Sequence, residues 1–421
     1  FGADVPTGLR IPSFRHEVMA VLSKAGCNMG TCHGNANGKG GLKLSLRGQN
    51  PAQDFETLTR QGGSRRVDVV RPQSSLLLQK PLMDVPHEGG RRFAAASEEA
   101  RIFQDWIEAG MPLDAADAPT LVRLNVEPPH ATLYAPDVSA PIRVTAEFSD
   151  GQKRDVTNLA VYESSATFVA ISTDGIATAE HAGLTTVAVR YLDQQAPVRL
   201  EFVPERSDFV FSSPEPENFV DDLVFRQLER LKINPSVVCD DTVFLRRAYL
   251  DLTGLLPTAE QAQQFVASKE AGKRAKLIDE LLASPEFVDM QTLRWADLLR
   301  VEEKTLDQKG VEVFHGWIRD SFAKDKPLNV FAQEILAARG STYSVPPTNF
   351  YRALRVPEAR AESAAQVFLG IRLQCAKCHN HPFDRWTQDD YYGWSNFFAR
   401  IDYKIIENKR RDKNDKHEFD G

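Results

Sequence analysis

Cys375-Ala-Lys-Cys378-His379 is the stretch on which the reading of this chain turns. C-x-x-C-H is the pattern of covalent haem attachment: two thiols add across the two vinyl groups of the porphyrin, and the next histidine ligates the iron. Geometry fixes the order, because the second thioether pins the ring edge beside the imidazole. A less regular copy stands near the other end, Cys27-Asn-Met-Gly-Thr-Cys32-His33. Four residues separate its thiols, so the extra ones must bulge, and Gly30 is expected to supply the backbone freedom. Its Cys-His ending is intact. Two such endings in a chain with five cysteines predict two covalently bound haem c groups. Cys27, Cys32, Cys375 and Cys378 would carry the thioethers, and His33 and His379 would ligate the irons.

Plainer readings exist for each pair. Cys27 and Cys32 could close a small disulfide loop; Cys375 and Cys378 could be a redox pair or half a zinc site. A structural zinc takes about four ligands, and near Cys375 only His379 and His381 are on offer. A thioredoxin-type pair belongs at a helix start in a βαβ setting, whereas Glu358 to about Leu373 reads as a helix running into Cys375. Cys239 reads as a buried thiol.

The group opposite each proximal histidine decides between electron transfer and chemistry. For the first haem the expected distal ligand is His87, in Val-Pro-His-Glu-Gly-Gly, on the loop before a helix that opens at Ser97. Met83 and Met111 are the alternatives. For the second, His315 is the candidate; without it the iron would be open to peroxide, oxygen or substrate. His381 cannot easily reach the far face of its own ring and is expected to handle protons or to lock the turn before Pro382.

Composition sets outer limits. The chain has 421 residues, 42% hydrophobic and 26% charged, the balance of an ordinary globular protein of more than one domain. It has no run of 18 apolar residues, so no membrane span is expected. A net charge of −7 argues against a nucleic-acid partner. Residues 1–113 run the other way, with 14 Lys/Arg against 11 Asp/Glu, a balance suited to an acidic partner but equally to a solvated surface. The start at Phe1 is read as a removed signal segment, and haem attachment as a periplasmic or otherwise exported location. The charged stretch Asn408–His417 reads as a loop interrupted before a further domain.

Three regions follow from the patterning. Residues 1–118 predict a small α-helical domain like cytochrome c: a helix with Phe14, Val18, Val21 and Leu22 on one face, a stop at Gly26, and a glycine-rich wrap. A short strand over Leu42, Leu44 and Leu46 and a helix from the Ser97 cap complete it. Residues 119–205 alternate as strands, notably 142–148, 166–172, 185–191 and 198–202, and predict a β-sandwich of immunoglobulin type with no catalytic constellation. Residues 206–421 predict a mainly α-helical domain carrying the second haem motif. An amphipathic helix over Phe219, Val220, Leu223 and Val224 begins it, and Thr258-Ala-Glu-Gln261 is a capping box. Phe383, Trp386, Tyr391, Tyr392, Trp394, Phe397 and Phe398 follow the motif, and their expected packing partner is the porphyrin.

At these residues the chain resembles a family of exported planctomycete-type proteins. They combine a cytochrome c-like module, a bacterial Ig-like domain of group 2 and the domain DUF1549, usually followed by DUF1553. Gly26-Cys-Asn-Met-Gly-Thr-Cys-His-Gly34 with Gly40-Gly-Leu-Lys-Leu-Ser-Leu46 resembles the first module. Phe244-Leu-Arg-Arg-Ala-Tyr-Leu-Asp-Leu-Thr-Gly-Leu-Leu-Pro257 and Phe368–Asp384 resemble DUF1549. The resemblance implies a periplasmic haem protein and no settled reaction. The functions in view are therefore a dihaem electron carrier with a redox partner protein, or a haem oxidoreductase with carbohydrate as a candidate substrate. The alternative is a non-enzymatic surface scaffold or polysaccharide-binding protein with structural haems.

Overall fold

The computed structural model describes residues 10–62, 65–378, 380–381 and 384–404. The protein is multidomain, with sheets in the N-terminal half and helices in the C-terminal half. The chain divides into two compact units: Phe1–Pro235 with Cys378–Thr387, and Ser236–Lys377 with Gln388–Gly421.

The first unit opens on a π-helical turn, Phe14–Val18, that runs into α1, Met19–Lys24. The sequence suggests one apolar face here, yet Phe14, Val18, Met19, Ala20, Val21 and Leu22 are all buried, so the helix is enclosed on nearly every side. Gly26, at φ 73°, ends it. Three further helices follow: α2, Pro51–Thr59; α3, Leu76–Leu82; and α4, Glu98–Glu108. The Ser97 hydroxyl accepts the Ala100 N–H at the start of α4, with Glu98 and Glu99 in its first turn, as the sequence predicts. Phe14 packs between Phe55 and Trp106, at ring-centroid distances of 5.1 and 5.3 Å. The strand expected over Leu42–Leu46 does not form. Among the described residues that segment has one bridge, Lys39 to Leu42, and then a 3-10 turn over Leu46–Gly48.

Ten strands follow among the described residues: β1 Leu121–Glu127, β2 His130–Tyr134, β3 Ser139–Pro141, β4 Arg143–Phe148, β5 Lys153–Asp155, β6 Val161–Ser164, β7 Val169–Ile171, β8 Ile176–Ala179, β9 Gly183–Tyr191 and β10 Gln194–Val203. They form three sandwich-like sheets in the orders β1-β4-β5, β2-β10-β9-β6 and β3-β8-β7. Only β10 and β2 pair in parallel. The inward residues of β4 and β9, among them Val144, Ala146, Val187 and Val189, join Phe14, Leu22, Phe103 and Trp106 in a single hydrophobic core. Helices and sheets of this unit are therefore welded together. The Tyr191 hydroxyl donates to the His16 carbonyl at 2.8 Å, and the His16 ring lies 4.8 Å from that of Phe148. Helix α5, Phe219–Arg230, closes the unit, tied to β10 by Arg230 and Gln227, which both donate to the buried Glu201. Phe219, Val220, Leu223 and Val224, the apolar face seen in the sequence, are exposed.

The second unit is helical: α6 Asp241–Thr253, α7 Ala259–Ala267, α8 Lys273–Leu282, α9 Pro285–Leu298, α10 Gln308–Ala323, α11 Leu328–Leu336, α12 Asn349–Ala353, α13 Pro357–Leu369 and α14 Gln388–Asn396. The predicted capping box at Thr258 and Gln261 is present in both directions. Phe314, Ile318, Phe331, Ile335, Phe350 and Phe398 fill its main core. Helix α13 stops at Leu369 rather than near Leu373, because Gly370 takes the left-handed conformation at φ 68°.

Candidate functional site

The Cys27–His33 loop is closed by its own backbone. The Cys27 N–H donates to Leu22 O, Cys32 N–H to Met29 O and His33 N–H to Cys27 O, at 2.8 to 3.0 Å. Gly30 does not supply the bend, since its φ is not positive. The demanding glycine is Gly34: a Cβ there would land on the Asn28 carbonyl. The Cys-His-Gly run of the sequence carries that signal, which a motif reading confined to thiols and imidazole passes over.

His33 is half-buried, and its Nδ1 lies 3.1 Å from Lys39 O and 3.2 Å from Leu42 O. Carbonyls only accept, so Nδ1 carries the proton and Nε2 keeps a free lone pair. The carbonyls of residues 39 and 42 also accept each other's N–H in the isolated bridge, and Leu44 N–H donates to His33 O, so this segment wraps the imidazole instead of joining a sheet. Burial, foremost, lowers the His33 pKa, against the pull of those two carbonyls, so the ring is neutral at neutral pH. His87 is held in the same tautomer, its Nδ1 donating to Gly90 O at 2.9 Å.

The two rings come together. Their centroids are 6.4 Å apart and their planes 10° from parallel. A metal–imidazole bond of about 2 Å, with the ring centre about 1 Å further on, puts two imidazoles on opposite sides of one ion at a centroid spacing of about 6 Å. That spacing is compatible with both histidines serving one metal ion. The second ring nitrogen of each is anchored to a carbonyl, the usual outer support of ligating histidines. Of the other candidates, Met83 is exposed and Met111 packs against the hydrophobic core.

Cys27 and Cys32 are free thiols. Burial pushes Cys27 up to about 12, against the lowering influence of the Arg92 charge, so it stays protonated. Among the described residues no three His, Cys, Asp or Glu side chains converge as a ligand set. The thiols and imidazoles therefore do not surround one ion as tetrahedral zinc requires. Sequence reasoning also missed Arg92, whose Nη2 donates to Cys32 Sγ at 3.3 Å.

Residues 219–403 match the family model described as PSCyt2, protein of unknown function (DUF1549). A search of the curated proteins finds no match to the chain. The DUF1549 region contains the second motif. Cys375 is exposed in a 3-10 turn, Gln374–Lys377, whose Ala376 is buried. The Lys377 carbonyl accepts from Gln388 and from the Tyr392 hydroxyl. Cys378 is also exposed, and His379, with Phe383, lies outside the described residues. The His381 N–H donates to Trp386 O, and its carbonyl accepts from Gln195 at 2.6 Å. His315 is exposed on α10, whose Phe314 and Ile318 turn into the core.

Three rings of the aromatic run after the motif, Tyr391, Trp394 and Phe398, have protein packing partners. Tyr391 is buried and donates to Glu362, Trp394 donates to Ala361 O, and Phe398 joins the core with Phe314 and Phe350. Those rings lean on α13. Tyr392 and Phe397 stay exposed. The remaining cysteine, Cys239, is partly exposed, with its carbonyl bonded by Arg274.

Proposed function

We propose that the protein is an exported dihaem c-type cytochrome acting in electron transfer. The N-terminal module would hold one haem c through Cys27 and Cys32, with His33 and His87 holding its iron. The second haem would be attached at Cys375, Cys378 and His379. The observation that carries this reading is the His33–His87 pair: its spacing, its near-parallel rings and its shared tautomer suit two histidines that would hold one iron. The unconverged thiols fit attachment at a ring edge better than metal ligation.

Bound there, haem would supply reversible one-electron chemistry. The chain's own contribution is to hold both imidazoles oriented by their Nδ1 bonds. The carbonyls of Lys39, Leu42 and Gly90 fix the Nε2 lone pairs, and the tight 27–33 backbone keeps Cys32 beside His33. Two histidines favour ferric iron more than a His/Met pair does, so a low potential is expected. In the DUF1549 region His315 is the proposed sixth ligand and His381 the proposed proton-handling group. If that iron is open instead, an oxidoreductase reading replaces the carrier reading there. The sheets are read as an immunoglobulin-like spacer, with polysaccharide or a redox partner protein as its candidate ligand.

The test is the visible spectrum of the full chain, purified from a host that exports and matures c-type cytochromes. A Soret band that survives denaturation, with sharp bands on reduction by dithionite, is expected. No Soret band would sink the reading.

A further inference from the structure

The Arg92 guanidinium occupies a space made for it. A Cβ on Gly26 would stand 3.6 Å from its Nη1, and one on Gly89 would stand 3.1 Å from its Nη2. The same hypothetical Cβ at Gly89 would press on His87, 2.9 Å from Cε1. Arg92 and His87 therefore share one glycine-sized gap, and Nη2 reaches Cys32 Sγ across it. The backbone fixes the base of the side chain, with Arg92 N–H donating to Pro81 O at 2.8 Å. Among the described residues the guanidinium bonds to this sulfur and pairs with no carboxylate.

Such a placement is odd for a merely structural arginine. A buried or half-buried guanidinium is ordinarily matched to a carboxylate or to several carbonyls. Arg360 in the second unit shows the ordinary case, its guanidinium bonded to the carbonyls of Leu354, Arg355, Phe398 and Ile401. Arg92 instead aims an unneutralised charge at the thiol and imidazole of the candidate site.

The geometry points to Arg92 as the residue that sets the reduction potential of the group held by His33 and His87. This rests on the haem reading above. Arg92 is a positioning residue in this role, acting on the iron through the field of a fixed positive charge. When the site takes up one electron, its net charge falls by one, and a nearby cation favours the reduced form. The electron comes from the electrode in the experiment below and from a redox partner protein in the cell. With two histidine ligands alone the potential would lie low; Arg92 raises it toward the range of a partner.

The test is spectroelectrochemical titration of the full chain alongside Arg92→Gln, Arg92→Met and Arg92→Lys, with haem content measured for each. The neutral variants are expected to titrate one component at a lower potential. The reduced-to-oxidised ratio of that component at fixed potential should fall about tenfold. Arg92→Lys, which keeps the charge, should stay near the wild type. Full haem content with unchanged midpoints in both neutral variants would overturn the proposal. So would loss of the N-terminal haem from both, since Arg92 would then hold the group rather than tune it. A wild-type protein without haem is a different outcome and defeats the haem reading itself.

Discussion

The imidazoles of His33 and His87 face each other at 6.4 Å with their planes 10° from parallel, although a glycine-rich wrap and two helices separate them in sequence. Each is pinned by a backbone carbonyl, so the pair is preorganised by the chain itself. His87→Ala in the full chain should convert one low-spin haem component to high-spin while leaving both thioether attachments in place. Resonance Raman spectra of the ferric protein read this directly. An unchanged spectrum would pass the role to Met83 or Met111.

Gly34→Ala tests the loop. Its Cβ would meet the Asn28 carbonyl, so the Cys27–His33 turn must open. Overpacking of a tight site typically costs about 1–3 kcal/mol. Intact mass is expected to fall from two haem groups per chain to one. Cys375→Ala with Cys378→Ala should remove the other group, and the double set should leave none.

Carbon monoxide separates the two readings of the DUF1549 region. If His315 closes the second iron, the reduced protein should bind the gas slowly or not at all, and His315→Ala should make binding rapid. Rapid binding by the wild type would assign that iron to chemistry instead of transfer.

His16 makes stability sensitive to acid. Burial, foremost, lowers its pKa below 6.5, with Asp114 and Glu17 pulling upward and Arg154 and Arg15 reinforcing the drop. Between the folded and unfolded values the unfolded chain binds more protons. The contribution is thus complete above about pH 6.5 and is lost as pH falls through the lower folded value, each unit of depression being worth about 1.4 kcal/mol. Thermal melts of His16→Phe should show a shallower decline below pH 6.5 than the wild type.

Glu201 shows a linkage of the same sign at lower pH. Burial pushes its carboxyl up, but bonds from Arg230, Gln227, Thr132 and His130 outweigh that and hold it at about 2, against 4.5 when unfolded. Its contribution is present above pH 4.5 and fades as pH falls toward 2. Glu201→Gln should cost on the order of 2 kcal/mol at neutral pH in denaturant titrations. A loss near zero would mean that α5 is held to β10 by other contacts.

Much of this architecture was legible because its signals are local. The Ser97 cap, the Thr258–Gln261 box, the Gly26 stop and the alternation of β4, β9 and β10 each depend on a few neighbouring residues. Reading a helix through to Leu373 failed because Ile371 and Leu373 outweighed one glycine, whose left-handed φ is what ends α13. The strand over Leu42–Leu46 failed for a reason outside the segment, since Leu42 O and Leu44 N–H bond to His33 instead of to a neighbouring strand. His87 could be found from its place on a loop before the closing helix, being the one histidine between His33 and Ser97. Arg92 carries no such mark. Its significance lies in the void left by Gly26 and Gly89, which no spacing rule encodes.

The bond from Tyr191 to the His16 carbonyl, and the core shared by α1, α4, β4 and β9, give the sheets a mechanical office. A fragment ending at residue 118 would be stripped of Phe148, Val187, Val189 and Tyr191, the inner lining of its own wall. A fragment for study must therefore keep the sheets, which brace the helices that flank His33 and His87. An electron held between those imidazoles would sit in a braced frame, one whose stiffness comes from residues that never touch it.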